Sequence, residues 1–260
     1  MQKQATYFFV FWLILISCTS KKETIENPTL IDFKVQSTFP HSKESFTQGL
    51  VIHDGQLYES TGQEGSWIGI VNIKTGIADK KIILDKKYFG EGITILNNKI
   101  YQLTWKNKIA FVYDLKTYEK LKEFNYTSEG WGLTHDNSDL IMSDGTSTLY
   151  FRDTLTFKIK KELQVTFNNQ PVNALNELEY IDGYIYANVW RTNYIAKIDP
   201  SNGEAVGFLD LSKLVQQANL INPNADVLNG IAWHDGTRSM LVTGKNWPYI
   251  YVLKMNAVIQ

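Results

Sequence analysis

From Leu30 onward the chain alternates apolar and polar residues in short runs, each ending at a cluster of turn-forming residues. Period-two alternation of this kind predicts half-buried β-strands. The first group reads Gly49–His53, the turn Asp54-Gly55, Gln56–Ser60 and then Trp67–Ile73. Asp-Gly between two alternating runs marks a tight hairpin, because its backbone accepts the left-handed conformation that such turns require. The pattern returns as Gly92–Leu96 to Ile109–Leu115 around Asn97-Asn98, and as Gly132–His135 to Thr148–Asp153 around Asp136-Asn137-Ser138. It returns again as Glu177–Ile181 to Tyr194–Ile198 around Asp182-Gly183, and as Gly230–His234 to Tyr249–Lys254 around Asp235-Gly236. A fourth, edge-like run follows several third strands, as in Asp79–Leu84 and Glu119–Phe124. One helix is predicted, Leu211–Leu220, in the long connection between the fourth and fifth groups.

Groups of four antiparallel strands, repeated at intervals of roughly forty to fifty residues, predict an all-β fold, a five-bladed β-propeller within residues 30–260. A jelly roll or sandwich would not repeat so regularly. The fifth group runs out of chain after its third strand, whereas Leu30–Phe39 is a strand without a group. The N-terminal strand is therefore expected to complete the last blade and cover an otherwise open edge.

Each first strand opens with one small frame: Phe46-Thr47-Gln48-Gly49-Leu50, Phe89-Gly90-Glu91-Gly92-Ile93, Glu129-Gly130-Trp131-Gly132-Leu133, Leu175-Asn176-Glu177-Leu178 and Leu228-Asn229-Gly230-Ile231. The frame repeats while its content changes, from Gln48 through Glu91, Trp131 and Asn176 to Asn229. First strands line the channel of a propeller, so these side chains should converge at one mouth. Antiparallel pairing brings the end of each second strand beside the start of the first. A second ring, Gly62, Trp105, Gly145, Trp190 and Lys245, therefore belongs to the same mouth. One carboxylate, one ammonium and several amides, boxed by Phe46, Phe89, Trp105, Trp131 and Trp190, form a pocket for a small polar ligand. Glu91 alone reads as a solvated loop carboxylate, and each Trp alone as core; their shared register is what points to a site. His53, His135 and His234 fall at the opposite end of the blades, spread too widely to converge on one metal ion. They read as turn residues, and no Ser sits in a nucleophile-elbow frame.

Composition narrows the partners. A formal net charge of −1, with 20% charged and 43% hydrophobic residues, gives no electrostatic case for nucleic acid or an acidic membrane surface. The single Cys among 260 residues excludes an intrachain disulfide framework. That residue, Cys18, follows Leu15-Ile16-Ser17, and the chain before it has Lys3 and an apolar run from Tyr7 to Ile16. The run is too short to span a bilayer. Residues 1–17 are expected to be a lipoprotein-type signal peptide, since Leu-Ile-Ser-Cys resembles the bacterial lipobox. Cys18 would carry the lipid, residues 18–29 would form a flexible tether, and the protein would be exported and lipid-anchored in a bacterial cell envelope.

With these residues assembled, the chain resembles the glutaminyl-peptide cyclotransferases of the plant and bacterial five-bladed type. The resemblance covers nearly all of residues 40–255. It is carried by the frames above together with Tyr58-Glu59-Ser60-Thr61-Gly62, Leu103-Thr104-Trp105, Ser143-Asp144-Gly145-Thr146, Asn188-Val189-Trp190 and Thr243-Gly244-Lys245. It implies an enzyme that needs no cofactor and converts N-terminal glutamine of peptides and proteins into pyroglutamate with loss of ammonia. Glu91 would transfer protons, and Gln48, Asn176 and Lys245 would join it in catalysis, with Phe46, Phe89, Trp105, Trp131, Trp190 and Asn229 around the substrate. A structural calcium ion in the channel also occurs in the family, without residues here to assign to it. A monomer is expected. Burial should raise the Glu91 pKa and Lys245 should lower it, and sequence leaves that balance open. The competing readings are a non-catalytic propeller that binds a small polar ligand or peptide terminus, and a scaffold for other envelope proteins.

Overall fold

The computed structural model describes residues 28–255. The expected signal 1–17, the lipid-acceptor Cys18 and the tether as far as residue 27 lie outside the described residues. The first strand, β1 (Phe33–Pro40), precedes the four complete blades and belongs to the fifth. Blade 1 is β2 (Thr47–His53), β3 (Gln56–Thr61), β4 (Trp67–Asn72) and β5 (Ile77–Ile83), and blade 2 is β6 (Gly90–Leu96), β7 (Lys99–Thr104), β8 (Ile109–Asp114) and β9 (Lys120–Asn125). Blade 3 is β10 (Leu133–His135), β11 (Leu140–Ser143), β12 (Thr148–Arg152) and β13 (Ile159–Gln164). A two-stranded ribbon, β14 (Thr166–Phe167) and β15 (Gln170–Pro171), leads to blade 4: β16 (Leu175–Ile181), β17 (Tyr184–Val189), β18 (Tyr194–Ile198) and β19 (Ala205–Asp210). Helix α1 (Ser212–Ile221) then connects to β20 (Leu228–His234), β21 (Ser239–Gly244) and β22 (Tyr249–Met255).

The fifth sheet has the order β1-β22-β21-β20, so the N-terminal strand completes the last blade as expected. It pairs antiparallel with β22 from Phe33 opposite Met255 to Pro40 opposite Tyr249. Before entering that blade the chain also lies along β19, where Ile31 N donates to Phe208 O and Phe208 N donates to Thr29 O. The end of the expected tether is thus already part of the fold, and the strand proper starts at Phe33 rather than Leu30.

The hairpin chemistry follows the sequence in most blades. Asp54-Gly55 has φ of 48° and 73°, and Asp182-Gly183 has φ of 50° and 85°, both residues of each pair left-handed as a type I′ turn requires. The same dipeptide at Asp235-Gly236 does something else. His234 pairs with Ser239, leaving a four-residue loop whose left-handed residue is Arg238 at 53°.

Apolar side chains fill the seams between blades. Val51 and Ile68 meet Ile93 and Ile100 between blades 1 and 2; Leu103 and Ala110 meet Leu133 and Met142 between blades 2 and 3. Ile141 and Leu149 meet Leu178 and Ile185, then Ile195 and Leu209 meet Ile231 and Val242, and Leu241 and Val252 meet Leu50 and Leu57. Leu214 and Ala218 of α1 pack into the seam between blades 4 and 5. At the centre the inner strands touch in the cyclic order β2, β6, β10, β16, β20 and back to β2.

Candidate active site

The variable position of each frame sits on a backbone irregularity. Register shifts fall between Thr47 and Gly49, Gly90 and Ile93, Leu175 and Leu178, and Leu228 and Ile231, all in pairings of a first with a second strand. A β-bulge inserts an extra residue and re-aims a side chain, so Gln48, Glu91, Asn176 and Asn229 all sit in such bulges. In blade 3 the place of the bulge is taken by Trp131 and Gly132, just ahead of the shortened β10. There Gly132 N donates to Ser143 Oγ at 2.8 Å, and Ser143 Oγ donates onward to Asn176 O at 2.6 Å. Ser60 Oγ makes the matching bond to Glu91 O at 2.6 Å. The second strand of one blade thus holds the bulge of the next.

Gly49, Gly92 and Gly132 let the bulges crowd together. A Cβ on Gly92 would come within 2.6 Å of Leu133 N, and one on Gly132 within 2.0 Å of Asn176 O. The fourth frame has Glu177 where the others have glycine. Its carboxylate crosses the channel, accepting from Leu50 N of blade 1 at 3.1 Å and from Ile231 N of blade 5 at 2.8 Å. Below it Glu179 accepts from Trp233 N at 2.9 Å and Thr134 Oγ at 3.5 Å, and burial pushes its carboxyl up to about 8. Calcium takes about 6–8 oxygens. These two carboxylates already accept protein donors, and among the described residues no cluster of three or more His, Cys, Asp or Glu could hold a metal. Both channel carboxylates are thus engaged in tying blades together.

At the mouth lies a pocket of about 320 Å³, lined by Glu91, Lys245, Asn176 and Gln48 and walled by aromatic rings. The rings form a belt. Phe46 meets Phe89 edge-on at 6.2 Å, Phe89 meets Trp105 at 5.5 Å, and Trp131 meets Trp190 edge-on at 5.4 Å. Glu129 links the two halves of the belt, accepting from Trp105 Nε1 at 2.6 Å and from Trp131 Nε1 at 3.0 Å. Lys245 Nζ lies 4.8 Å from the Phe46 ring centroid, at one end of the belt. Gly62 and Gly145, the small members of the second ring, leave room for Phe89 and Trp131: a Cβ there would fall 2.4 Å and 2.6 Å from those rings.

Glu91 is 3% exposed and Lys245 6% exposed. Burial pushes the Glu91 carboxyl well above the usual carboxylate range; the Lys245 charge pulls the other way without prevailing, and Glu129 adds to the rise. Burial likewise lowers Lys245, against the opposing charges of Glu91 and Asp226. Glu91 Oε2 and Asn176 Oδ1 are buried without a hydrogen-bond partner. Unsatisfied buried polar atoms are rare, and here two of them belong to residues that line one pocket.

The pocket brings together every expected site residue but one. Asn229 is fully buried behind the wall, where its Nδ2 donates to Thr47 O at 3.0 Å and to Gln48 Oε1 at 3.3 Å. It orients Gln48 instead of lining the pocket. Two further residues escape the repeat pattern: Asp226, which lines the mouth, and Glu129, which belongs to the third frame but not to its variable position. His135 Nδ1 and His234 Nδ1 accept from Asn137 N and Thr237 N of their own turns, as turn residues should.

Fold and pocket together define a class: a five-bladed propeller with its candidate chemistry at one channel mouth, built from a buried carboxylate and a buried amine within an aromatic belt. The family model for glutamine cyclotransferase matches residues 9–255 of this chain. The chain is 41% identical over 230 residues to glutaminyl-peptide cyclotransferase of Arabidopsis thaliana, covering 86% of this chain and 71% of that one. The crystal structure of Myxococcus xanthus glutaminyl cyclase shares 34% identity and a TM-score of 0.83, over 88% of this chain and 99% of that one. The protein belongs to the glutamine cyclotransferase family.

Proposed function

We propose that the protein is a glutaminyl-peptide cyclotransferase, an acyl-transferring enzyme that cyclises the N-terminal glutamine of peptides and proteins to pyroglutamate and releases ammonia. Family membership supports the reaction. The observation that carries the assignment to this pocket is the buried Glu91 carboxyl, with a polar atom unpaired, beside Asn176 and Lys245 in an aromatic belt.

The chemistry is intramolecular. The α-amine attacks the side-chain carboxamide carbon, the new C–N bond forms, and the bond to the amide nitrogen breaks. A pocket that holds the bent conformer removes much of the entropic barrier. The attacking nitrogen must lose one proton and the departing nitrogen must gain one, and a single carboxyl group can do both. Raised by burial, Glu91 holds a proton at a pH where an ordinary carboxyl has lost it, which suits delivery to the leaving ammonia. Lys245, Asn176 and Gln48 are placed to donate to the oxygen as it becomes an oxyanion, worth about 3 kcal/mol for a well-aimed donor. The indole and phenyl faces pack on the flat carboxamide and keep out water.

The reading extends to location. The lipobox-like Leu15-Ile16-Ser17-Cys18 supports an exported protein held to a bacterial envelope membrane by lipid on Cys18, acting as a monomer without a cofactor. The test of function is ammonia release from a glutaminyl dipeptide, with chelator present and Glu91→Gln as control. We expect turnover in the wild type and at least about a hundredfold loss in the variant, with little change in substrate affinity. Full turnover in the variant would remove Glu91 from the mechanism, and no release by folded wild-type protein would leave a ligand-binding propeller.

A further inference from the structure

The pocket holds a second carboxylate that the reaction scheme leaves unused. Asp226 follows α1, in the long connection between blades 4 and 5, and lines the mouth of the pocket. It is no loose loop residue. Asp226 N donates to Lys245 O at 2.8 Å, Lys245 N donates to Val227 O at 3.0 Å, and the indole of the fully buried Trp247 donates to Asp226 O at 2.8 Å. This bracing fixes the Asp226 backbone to the segment that carries Lys245. Its side chain is exposed, with Oδ1 accepting from Val227 N at 2.8 Å.

A peptide with a free N-terminus carries an α-ammonium below a pKa of about 8. Lys245 stands in the same pocket and repels that charge, while burial disfavours the ionised form of Glu91. An exposed carboxylate at the rim supplies the missing complement. We propose that Asp226 binds the α-ammonium of the incoming peptide and anchors its N-terminus at the mouth, so that the pocket selects free α-amino termini. The inference rests on the cyclotransferase reading and deepens it. The role is one of binding: the ammonium must leave Asp226, or lose its proton there, before the neutral amine can attack.

Charged groups near the mouth include Lys245 and Glu91 in the pocket, Glu129 bonded to Trp105 and Trp131, Glu44 and Asp144 in the adjoining segments, and three cations. Lys106 lies 4.0 Å from the Trp105 ring centroid, Arg191 4.3 Å from that of Trp190, and Lys43 donates to Ile221 O at 3.4 Å. All are common to wild type and an Asp226 variant, but the Asp226 charge also supports ionised Lys245, so a substrate analogue without the α-amine, which still meets Lys245, is what separates a direct contact from an effect passed through Lys245.

Asp226→Asn keeps the oxygen that accepts from Val227 N and removes the charge. With the full-length protein and a glutaminyl dipeptide, KM in the variant should rise about fivefold below pH 7, with kcat within about twofold. The KM ratio should shrink toward one above pH 9, where the substrate amine is neutral. A desamino analogue, with the carboxamide but no α-amine, should inhibit both proteins equally. A KM ratio that stays constant with pH, no rise in KM, or weaker inhibition by the desamino analogue would overturn the role. If the wild type releases no ammonia, the cyclotransferase reading fails separately. Binding of the same dipeptide, followed by fluorescence of the pocket tryptophans, then decides on Asp226: a pH-dependent loss in the variant keeps the ammonium site, and its absence removes it.

Discussion

At the residue scale the informative contacts are those that hold the reactive groups in place. Glu129 accepts from two indoles at once, one from blade 2 and one from blade 3, so it sets the spacing of Trp105 and Trp131 across a seam. A hydrogen bond to a charged group contributes about 1.5–3 kcal/mol. Glu129→Ala should therefore lower kcat/KM by about 10–100-fold, and Glu129→Gln, which can still accept from one indole, by less. Steady-state kinetics on the two variants decides this, and an alanine variant with wild-type kcat/KM would show that the belt holds itself. Glu129 shows what was hard to read in the sequence. The variable frame position draws attention to Trp131, whereas the residue that orients it lies two places earlier and looks like an ordinary loop carboxylate. Asn229 shows the opposite: a polar residue in full register with the site is turned inward, because Thr47 O and Gln48 Oε1 offer its amide partners there.

At the element scale the repeated frame is a bulge, and its glycines are there for the neighbouring blade. The spot where a Gly132 side chain would begin is occupied by the carbonyl of Asn176, a backbone atom that cannot swing aside. Gly132→Ala should cost about 1–3 kcal/mol of stability and lower kcat as well, since the displaced residue lines the pocket. Denaturant midpoints and kcat measured on one sample check both parts, and a stable variant with full turnover would mean the inner strands can slide apart freely. The glycines and turns of the frames were legible in sequence. The bulge itself was not, because a register shift is a property of two strands and not of either one.

At the scale of the whole molecule the ring closes through a non-covalent seam. His41, just after β1, is buried between blades 5 and 1: its Nδ1 donates to Trp247 O at 3.0 Å, and its Nε2 lies 3.2 Å from Glu59 Oε1. Burial alone would lower the His41 pKa, but the Glu59 charge and the hydrogen bonds outweigh it and raise the group above 6.5. Histidinium bound more tightly in the folded state contributes stability that is fully present below about pH 6.5 and lost as pH rises through the raised value. Breaking a buried pair from one side costs about 3–5 kcal/mol. His41→Gln should therefore destabilise the protein by up to about that amount below pH 6.5, with the gap to wild type narrowing at alkaline pH. Thermal unfolding across pH measures the gap, and a gap that does not change with pH would mean that His41 is neutral in the fold.

Alternation, turn dipeptides and the repeated frame determined the blade count, the closing N-terminal strand and the register of the site, because these follow from local chemistry repeated along the chain. Sequence carries no such signal for Asp226, delivered by the long connection, or for the inward turn of Asn229. Nor does it carry one for the balance between Glu91 and Lys245, where burial prevails over their mutual attraction. Only the tertiary structure decided those points, since desolvation and distance depend on what other blades place around a group.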